Sequence, residues 1–309
     1  MRILVTGAGG FIGWHLVETA VRRGDTVRAW THGHGAYDWS AGITTAEIDL
    51  SDRRGIANDL AEFVPDVIIH LAAQSLIGPS WQDPATTYHV NVLGTIHLIE
   101  SARALPKAPR FISTGSSAEY AEPSDNRLIN ESSPLEPNNP YGASKLAAEE
   151  FVHLCVRRYE LNAIRIRPFF LVGPRKTGDV CSDFARRIVA IERGRQTIMQ
   201  VGDLRPLRDM MDIRDGVGAI LRIADAGKQG EVYNICTGHG ISIGDILKSY
   251  CRMARVPIEI RQDPALLRPL DPRSKIGDPR KLEALGWKVQ YILDDTLRQI
   301  LDYWRSIPD

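Results

Sequence analysis

The chain has 309 residues, enough for one large or two smaller lobes with a sizeable hydrophobic core. Lysine plus arginine and aspartate plus glutamate number 38 each, so the balanced charge gives no sign of nucleic-acid or membrane-surface binding. No apolar run reaches the ~18 residues that span a bilayer. The four cysteines lie far apart without metal-ligand spacing, so we expect reduced thiols, no metal site and a cytoplasmic protein.

Short apolar strands alternate with helical patterns over the first half of the chain. The predicted strands are Arg2–Val5, Thr26–Trp30, Thr44–Ile48, Asp66–Leu71, Arg110–Ser113 and Ala163–Arg167. The helical patterns between them lie at 10–23, 52–63, 84–105 and 141–159. Strands separated by helices of this length indicate a parallel sheet covered on both faces. The expected fold class is therefore α/β, a Rossmann-type doubly wound parallel sheet with its ligand at the carboxyl ends of the strands.

The pattern becomes less regular after Pro168 and predicts a smaller lobe. Its predicted helices and strands are Ser182–Glu192, Asp215–Ala224, Val232–Ile235, Ile243–Cys251, Pro257–Arg261 and Asp294–Arg305, with loops at 169–179 and 194–207. We predict a dinucleotide-binding domain at residues 1–168 and a substrate-binding lobe mainly at 169–309. The second lobe should be discontinuous, with part of 212–240 returning to the large domain.

A glycine-rich loop follows the first strand and opens the first helix. Gly7 permits the tight turn, Gly10 lets the backbone approach a pyrophosphate, and Gly13 allows close packing of helix on strand. Phe11 and Ile12 lie at the amino end of the helix, where N–H groups and the helix dipole favour phosphates. We therefore expect all five residues to bind a dinucleotide cofactor.

The other predicted cofactor contacts follow the second, third and fourth strands. They are Thr31, Asp49, Leu50, Leu71, Ala72 and Ala73. Asp49 would accept a hydrogen bond from the adenine amino group, with a solvated loop acid as the alternative. An acidic residue after the second strand would bind the ribose 2′-hydroxyl and repel a 2′-phosphate. Because Thr31 is followed by no carboxylate in reach, the sequence favours NADP and leaves NAD open.

Tyr141 and Lys145 stand four residues apart in a helical segment, so their side chains share one face. An ammonium favours the phenolate, so we expect Lys145 to lower the pKa of Tyr141 from its ordinary value of about 10. Such a phenol can exchange a proton with a carbonyl or alcohol. The spacing is weak evidence alone, but with the glycine loop it predicts a nicotinamide-dependent enzyme.

A serine-rich turn ends the fifth strand and offers a hydroxyl to the same substrate oxygen. Ser117 is the preferred candidate because Glu119 follows two residues later, and Ser116 is the alternative. Tyr141, Lys145, Ser117 and Glu119 are thus the predicted catalytic residues.

Together these motifs resemble the extended short-chain dehydrogenase/reductases that act on nucleotide sugars. The matching elements are the glycine loop, Ala72-Ala73-Gln74, Asn91, Ser117, Tyr141, Lys145, 230–234 and 285–287. The resemblance implies that Tyr141 donates the proton, Lys145 binds the cofactor ribose and Ser117 orients the carbonyl.

Within this class, four stretches resemble the GDP-4-keto-6-deoxy-D-mannose reductases, which form GDP-D-rhamnose. They are 75–84, 115–120, 182–187 and 262–269. The resemblance implies substrate-binding residues Gln74, Ser117, Glu119, Phe170, Arg208 and Arg268, with both arginines on the nucleotide diphosphate. Phe170 and Leu171 depart from the family's usual Asn and His.

Two other functions remain open at this point. A 4,6-dehydratase or 4-epimerase on the same scaffold would retain its nicotinamide, and Glu119 could then be the dehydratase base, although Ala118 argues mildly against it. A non-catalytic dinucleotide-binding protein is the remote alternative. The family also commonly pairs the helices at 84–105 and 141–159 into a homodimer, and the apolar Leu93, Leu98 and Leu154 fit that interface.

Overall fold

The computed structural model describes residues 1–33, 37, 39–123, 127–267 and 273–308. The strands are β1 (Arg2–Thr6), β2 (Thr26–Thr31), β3 (Ile43–Glu47), β4 (Val67–His70), β5 (Arg110–Thr114), β6 (Ala163–Pro168), β7 (Phe170–Val172), β8 (Ile198–Val201), β9 (Leu207–Arg208), β10 (Met210–Asp212), β11 (Val232–Ile235), β12 (Ile241–Ser242), β13 (Glu259–Gln262) and β14 (Ser274–Lys275).

The helices cover the sheets on both faces. They are α1 (Phe11–Arg22), α2 (Arg53–Phe63), α3 (Ile77–Gln82), α4 (Pro84–Tyr88), α5 (Gly94–Arg103), α6 (Pro140–Tyr159), α7 (Val180–Glu192), α8 (Ile213–Ala226), α9 (Ile243–Met253), α10 (Arg280–Glu283) and α11 (Leu293–Ser306). A π-helical segment, His89–Leu93, joins α4 to α5, and Ser117–Glu119 forms a 3₁₀ turn. No helix among the described residues is long and apolar enough to cross a membrane.

The large sheet has seven parallel strands in the order β11-β6-β5-β4-β1-β2-β3. One face packs against α1 and α8, and the other packs against α2, α5 and α6 through separate apolar clusters. The predicted doubly wound α/β fold is confirmed. The chain order reverses between β1 and β4, so this gap is where such sheets bind ligands. β11, from the second half of the chain, extends the sheet by pairing with β6.

A second apolar cluster is built on α7, α9 and α11, with three small sheets beside it. Here the sequence interpretation was wrong in two places. The loop predicted at 169–179 contains β7, and the irregular segment predicted at 194–207 contains β8. Both strands are short and pair with β10 and β13, which are distant in sequence. Their segments therefore lack the alternation of apolar and polar residues that would predict a strand.

Two glycines inside helices should respond oppositely to substitution. A Cβ on Gly13 would lie 2.7 Å from the Cα of Ala8, whereas a Cβ on Gly218 in α8 would meet no described atom within 4 Å. Gly13→Ala should therefore destabilise the fold by about 1–3 kcal/mol through overpacking. Gly218→Ala should stabilise it by about 0.5–1 kcal/mol through helix propensity. Urea unfolding with an unchanged m-value measures both, and shifts of the same sign would contradict the packing argument.

Candidate active site

The glycine loop turns tightly against the end of β4. Gly7 has a φ of 65°, and a Cβ there would lie 2.7 Å from the backbone N and Cα of Ala72. The N–H of Gly10 donates to the carbonyl of Gly7 at 3.0 Å, and α1 begins at the next residue. The first N–H groups of a helix have no carbonyl partner within the helix, so this loop and the start of α1 fit a pyrophosphate.

A buried histidine links the loop to the neighbouring helix. The Thr95 hydroxyl donates its hydrogen to the Asn91 carbonyl at 2.6 Å, so Nε2 of His70, 2.9 Å away, must be the donor to Thr95. Nδ1 then accepts from the Thr6 hydroxyl at 2.7 Å, and that hydroxyl accepts from the Ala72 N–H at 3.1 Å. Burial lowers the pKa of His70 to about 3, which agrees with this neutral tautomer.

Asn91 continues the same network to α6. Its Oδ1 accepts from the N–H of Gln74 at 2.8 Å, and its Nδ2 donates to the Ser144 hydroxyl at 2.9 Å. Ser144 in turn donates to the carbonyl of Tyr141 at 2.8 Å. Hydrogen bonds therefore connect the glycine loop, the turn after β4 and the first turn of α6.

Tyr141 and Lys145 both lie in the first turns of α6, which Asn139 caps by accepting from the Gly142 N–H at 2.9 Å. The ammonium of Lys145 donates to the carbonyl of Thr114 at 2.8 Å. Burial lowers the pKa of Lys145 to about 8, and a negative charge on Glu119 would oppose that shift.

The expected lowering of the Tyr141 pKa was wrong for the structure described. Burial raises the pKa of the phenol above 10, because desolvation disfavours the phenolate, and a negative charge on Glu119 would act in the same direction. A hydrogen bond with Ser116 opposes this only in part. Tyr141 is therefore held protonated, as a proton donor must be.

Ser116, not Ser117, provides the hydroxyl next to Tyr141. The Ser116 side chain caps the 3₁₀ turn by accepting from the Ala118 N–H at 3.1 Å, while Ser117 lies buried at the first position of that turn. The preference for Ser117 was based on its spacing to Glu119. The Ser-x-x-Glu capping signature that runs from Ser116 to Glu119 was the better signal.

Glu119 was expected to be a catalytic and substrate-binding residue, and the structure contradicts this. Its carboxyl group is completely buried behind the serine turn. It accepts from the backbone N–H of Ser116 at 2.7 Å and from Nε of Arg167 at 3.1 Å. With both oxygens engaged inside the protein, the side chain does not face a substrate cleft.

The remaining predicted cofactor residues surround the loop in different ways. Thr31 ends β2 and is buried, and Leu50 and Leu71 pack against the apolar clusters of the sheet. Asp49 is exposed, and its carboxylate accepts from the Ser51 N–H at 2.7 Å, which lowers its pKa. This geometry matches the alternative of a solvated loop acid.

The site has polar groups that suit a nicotinamide dinucleotide. Among the described residues, the buried hydroxyl of Thr114 at the end of β5 has no hydrogen-bond partner, and it lies in the residue whose carbonyl receives Lys145. Together with the glycine cradle, these groups fit the ribose and phosphates of such a cofactor.

The sequence analysis did not predict that the loop at 174–176 packs against α1. Nε2 of His15 lies 3.3 Å from the carbonyl of Pro174, and the guanidinium of Arg175 lies 4.5 Å from the ring centre of Trp14. The ammonium of Lys176 lies 5.3 Å from the ring centre of Phe11. This loop leads from β7 to α7, so it connects α7 directly with α1, the helix that follows the glycine loop.

Phe170 and Arg208, two predicted substrate residues, do come together. Phe170 begins β7, and the guanidinium of Arg208 in β9 lies 5.6 Å from its ring centre. The Gln74 amide is instead used within its own loop, accepting from the Leu76 N–H at 2.6 Å, so a substrate contact is not supported. Arg268 lies outside the described residues.

A tyrosine beside a serine hydroxyl and a buried lysine, next to a glycine loop that fits a pyrophosphate, is the arrangement expected of a nicotinamide-dependent oxidoreductase. The sequence model of the family described as GDP-mannose 4,6 dehydratase matches residues 4–300. The chain belongs to this family, which confirms the resemblance drawn from its motifs.

Known reductases and epimerases are similar to this chain over almost its whole length. GDP-6-deoxy-D-mannose reductase of Pseudomonas aeruginosa is 33% identical over 312 residues, covering 99% of this chain and 97% of the reductase. The structure of RMD from Pseudomonas aeruginosa complexed with NADPH has a TM-score of 0.86 at 31% identity, covering 99% of both chains. The UDP-glucose 4-epimerase of Thermus thermophilus in complex with NAD has a TM-score of 0.89 at 28% identity and the same coverage.

Tyr141→Phe should lower kcat by roughly 10²–10⁴-fold, because it removes only the transferable proton. The Kd for the nicotinamide cofactor should stay within about twofold, since the ring remains. Ser116→Ala should lower kcat at least about tenfold, and Ser117→Ala is its matched control with a smaller loss. Steady-state kinetics with cofactor titration measure all three, and a larger loss for Ser117→Ala would contradict the assignment of Ser116.

Proposed function

We propose that this protein reduces the C4 ketone of a GDP-linked 4-keto-6-deoxyhexose with NADPH, giving a GDP-D-rhamnose type product. The observation that carries the proposal is the position of Tyr141 one turn before the buried Lys145 in α6, with the Lys145 ammonium bonded to the Thr114 carbonyl at the end of β5. Similarity to GDP-6-deoxy-D-mannose reductase and to the NADPH complex of RMD supports the substrate and cofactor. NAD remains the alternative cofactor.

The residues divide the reaction between them. When bound, the nicotinamide supplies the hydride for the carbonyl carbon. Tyr141 delivers the proton to the carbonyl oxygen, and Ser116 holds that oxygen in place. Lys145 would bind the nicotinamide ribose, and its charge favours the phenolate that remains after transfer. Gly7, Gly10 and the start of α1 would hold the pyrophosphate.

The second candidate is a 4-epimerase that retains its nicotinamide, favoured by the similarity to an epimerase in complex with NAD. A 4,6-dehydratase has less support, because it needs a base next to the sugar and the buried Glu119 is bonded to Arg167. A non-catalytic role would not require the Ser116, Tyr141 and Lys145 set.

The test is to incubate the purified protein with NADPH and GDP-4-keto-6-deoxy-D-mannose and to identify the product. We expect GDP-D-rhamnose and one NADPH consumed per product. An epimerase would purify with bound cofactor and interconvert C4 epimers of a nucleotide sugar without added reductant. That outcome would replace the proposed reaction.

Assembly and location are part of the proposal. We place the protein in the cytoplasm as a homodimer joined through the π-helical segment, α5 and α6. The side chains of Leu93 and Leu154 support this, since they are 43% and 57% exposed, although Leu98 is wrong as an interface residue because it is completely buried within the subunit. Sedimentation of a monomer at micromolar concentration would contradict the dimer.

Thr31→Asp should shift cofactor preference toward NADH, because a carboxylate would oppose the 2′-phosphate at the end of β2. The ratio of kcat/KM for NADPH and NADH measures the shift, which we expect to be at least about tenfold, or ~1.4 kcal/mol. Thr45→Asp, on the exposed surface of β3, is the matched control. An unchanged ratio for Thr31→Asp would remove Thr31 from the ribose site.

Arg208→Ala should raise KM for the nucleotide sugar and leave NADPH affinity unchanged, because Arg208 belongs to the second lobe. The loss of one charge-assisted contact is worth about 1.5–3 kcal/mol. Arg261→Ala is the control, because Arg261 is 63% exposed and pairs with Glu259. A loss of NADPH affinity instead would contradict the assignment of Arg208 to the nucleotide-sugar site.

A further inference from the structure

Three charged side chains are buried directly behind the serine turn. Glu119, Glu149 and Arg167 are 0%, 1% and 3% exposed, and they come from the 3₁₀ turn, α6 and β6. Burying charges is unfavourable unless they are paired, so the protonation of this cluster is constrained. The reaction steps described above use none of these groups.

The guanidinium of Arg167 favours one carboxyl over the other. It binds Glu149 through two nitrogens, Nη2 to Oε1 and Nε to Oε2, the latter at 3.0 Å. Arg165 adds a third contact to Glu149 at 3.5 Å. Glu119 receives only a share of the same Nε–H at 3.1 Å, besides the Ser116 N–H. Glu149 therefore receives three contacts from arginine, whereas Glu119 receives only one, which it shares with Glu149.

The two carboxyl groups converge on the same donor, since Oε2 of Glu119 lies 3.1 Å and Oε2 of Glu149 lies 3.0 Å from Nε of Arg167. Two ionised carboxylates that share one buried Nε–H repel each other, and a proton on one of them removes this repulsion. Gly115 makes room for this pair, since a Cβ there would lie 2.9 Å from Oε2 of Glu149 and closer still to Oε1 of Glu119. This arrangement favours one neutral carboxyl group, and Glu119, which has the weaker contacts with arginine, is the candidate.

Ser116 connects this cluster to Tyr141. Glu119 completes the capping box of the serine turn by accepting from the Ser116 N–H at 2.7 Å, and the Ser116 hydroxyl bonds Tyr141. A negative charge on Glu119 would also oppose the phenolate that Tyr141 becomes after proton transfer.

We propose that Glu119 is a positioning residue: a neutral carboxylic acid that shares one proton with Glu149 beside Arg167 and holds Ser116 against Tyr141. In this state it adds no negative charge behind the phenol. The role rests on the proposed ketone reduction only through Tyr141, while the shared proton is a property of the folded protein itself.

The charged and titratable groups around Glu119 belong to three elements, namely α6, β6 and its own turn. From α6 they are Tyr141, Lys145 and Glu149; from β6, Arg165 and Arg167; and from its own turn, Tyr120. Burial and the nearness of Glu149 raise the pKa of Glu119 well above its ordinary value, in agreement with the proton placed by geometry.

The pH dependence of folding stability shows, independently of catalysis, whether Glu119 is protonated in the folded protein. A carboxyl whose pKa is raised on folding binds more protons in the folded state than in the unfolded state, so stability falls as pH rises above its unfolded pKa of about 4.3. Glu119→Gln cannot lose a proton and escapes this loss. We expect the difference in unfolding midpoint temperature, Glu119→Gln minus wild type, to increase by roughly 3–5 °C from pH 5 to pH 8. Glu150→Gln, on the exposed side of α6, should show no such trend.

Kinetics then test the positioning role. Glu119→Ala should lower kcat by at least about tenfold with KM for both substrates within about twofold, because Ser116 loses its cap. Glu119→Gln should restore most of that loss, since an amide can accept from Ser116 and donate to Glu149. The alkaline limit of kcat should also move to higher pH in Glu119→Gln, because no charge can then form behind Tyr141.

Three results would overturn the proposal. The first is an equal pH dependence of stability in the wild type and Glu119→Gln, which would mean that Glu119 is ionised in the folded protein. The second is a loss of kcat in Glu119→Gln as large as in Glu119→Ala, which would give the charge a direct role. The third is full activity of Glu119→Ala. If the protein reduces no 4-keto sugar at all, the stability comparison still decides the protonation of Glu119.

Discussion

The backbone of Gly7 packs against the backbone of Ala72, and the rest of the site depends on this contact. A Cβ at Gly7 would lie 2.7 Å from Ala72, so only glycine lets β1 and β4 close to this distance. Thr6 and His70 then fill the space behind the contact with directed hydrogen bonds. Because the chain order reverses between these two strands, the contact shapes the gap where the cofactor would lie and also anchors the helix that carries Tyr141.

Burial acts in opposite directions on the two titratable groups of that helix. It raises the pKa of the Tyr141 phenol and lowers the pKa of the Lys145 ammonium to about 8, since desolvation disfavours whichever form is charged. Both shifts bring the groups nearer to neutral forms. A reductase benefits, because its tyrosine must begin the reaction protonated. The neighbouring Glu119 is also involved, since its ionisation would raise the pKa of both groups.

The sequence predicted the doubly wound sheet and the glycine loop, because these depend on local apolar runs and on glycine spacing. It did not predict β7, because among the described residues this strand pairs only with the short strand β10. It also did not predict that the 174–176 loop packs against α1, because that contact joins residues more than a hundred positions apart. The error at Ser117 has another cause. Residue spacing placed a hydroxyl near Tyr141, but the capping of the 3₁₀ turn decides which serine points there.

The central claim is that a hydride passes from the nicotinamide to C4 of the sugar while Tyr141 supplies the proton. Cofactor deuterated at the transferable position of the nicotinamide tests this most directly, with the product analysed by NMR. The account predicts one deuterium at C4 of the GDP-deoxyhexose for each oxidised cofactor formed. A product without deuterium at C4, formed while the reduced cofactor remains unconsumed, would contradict it.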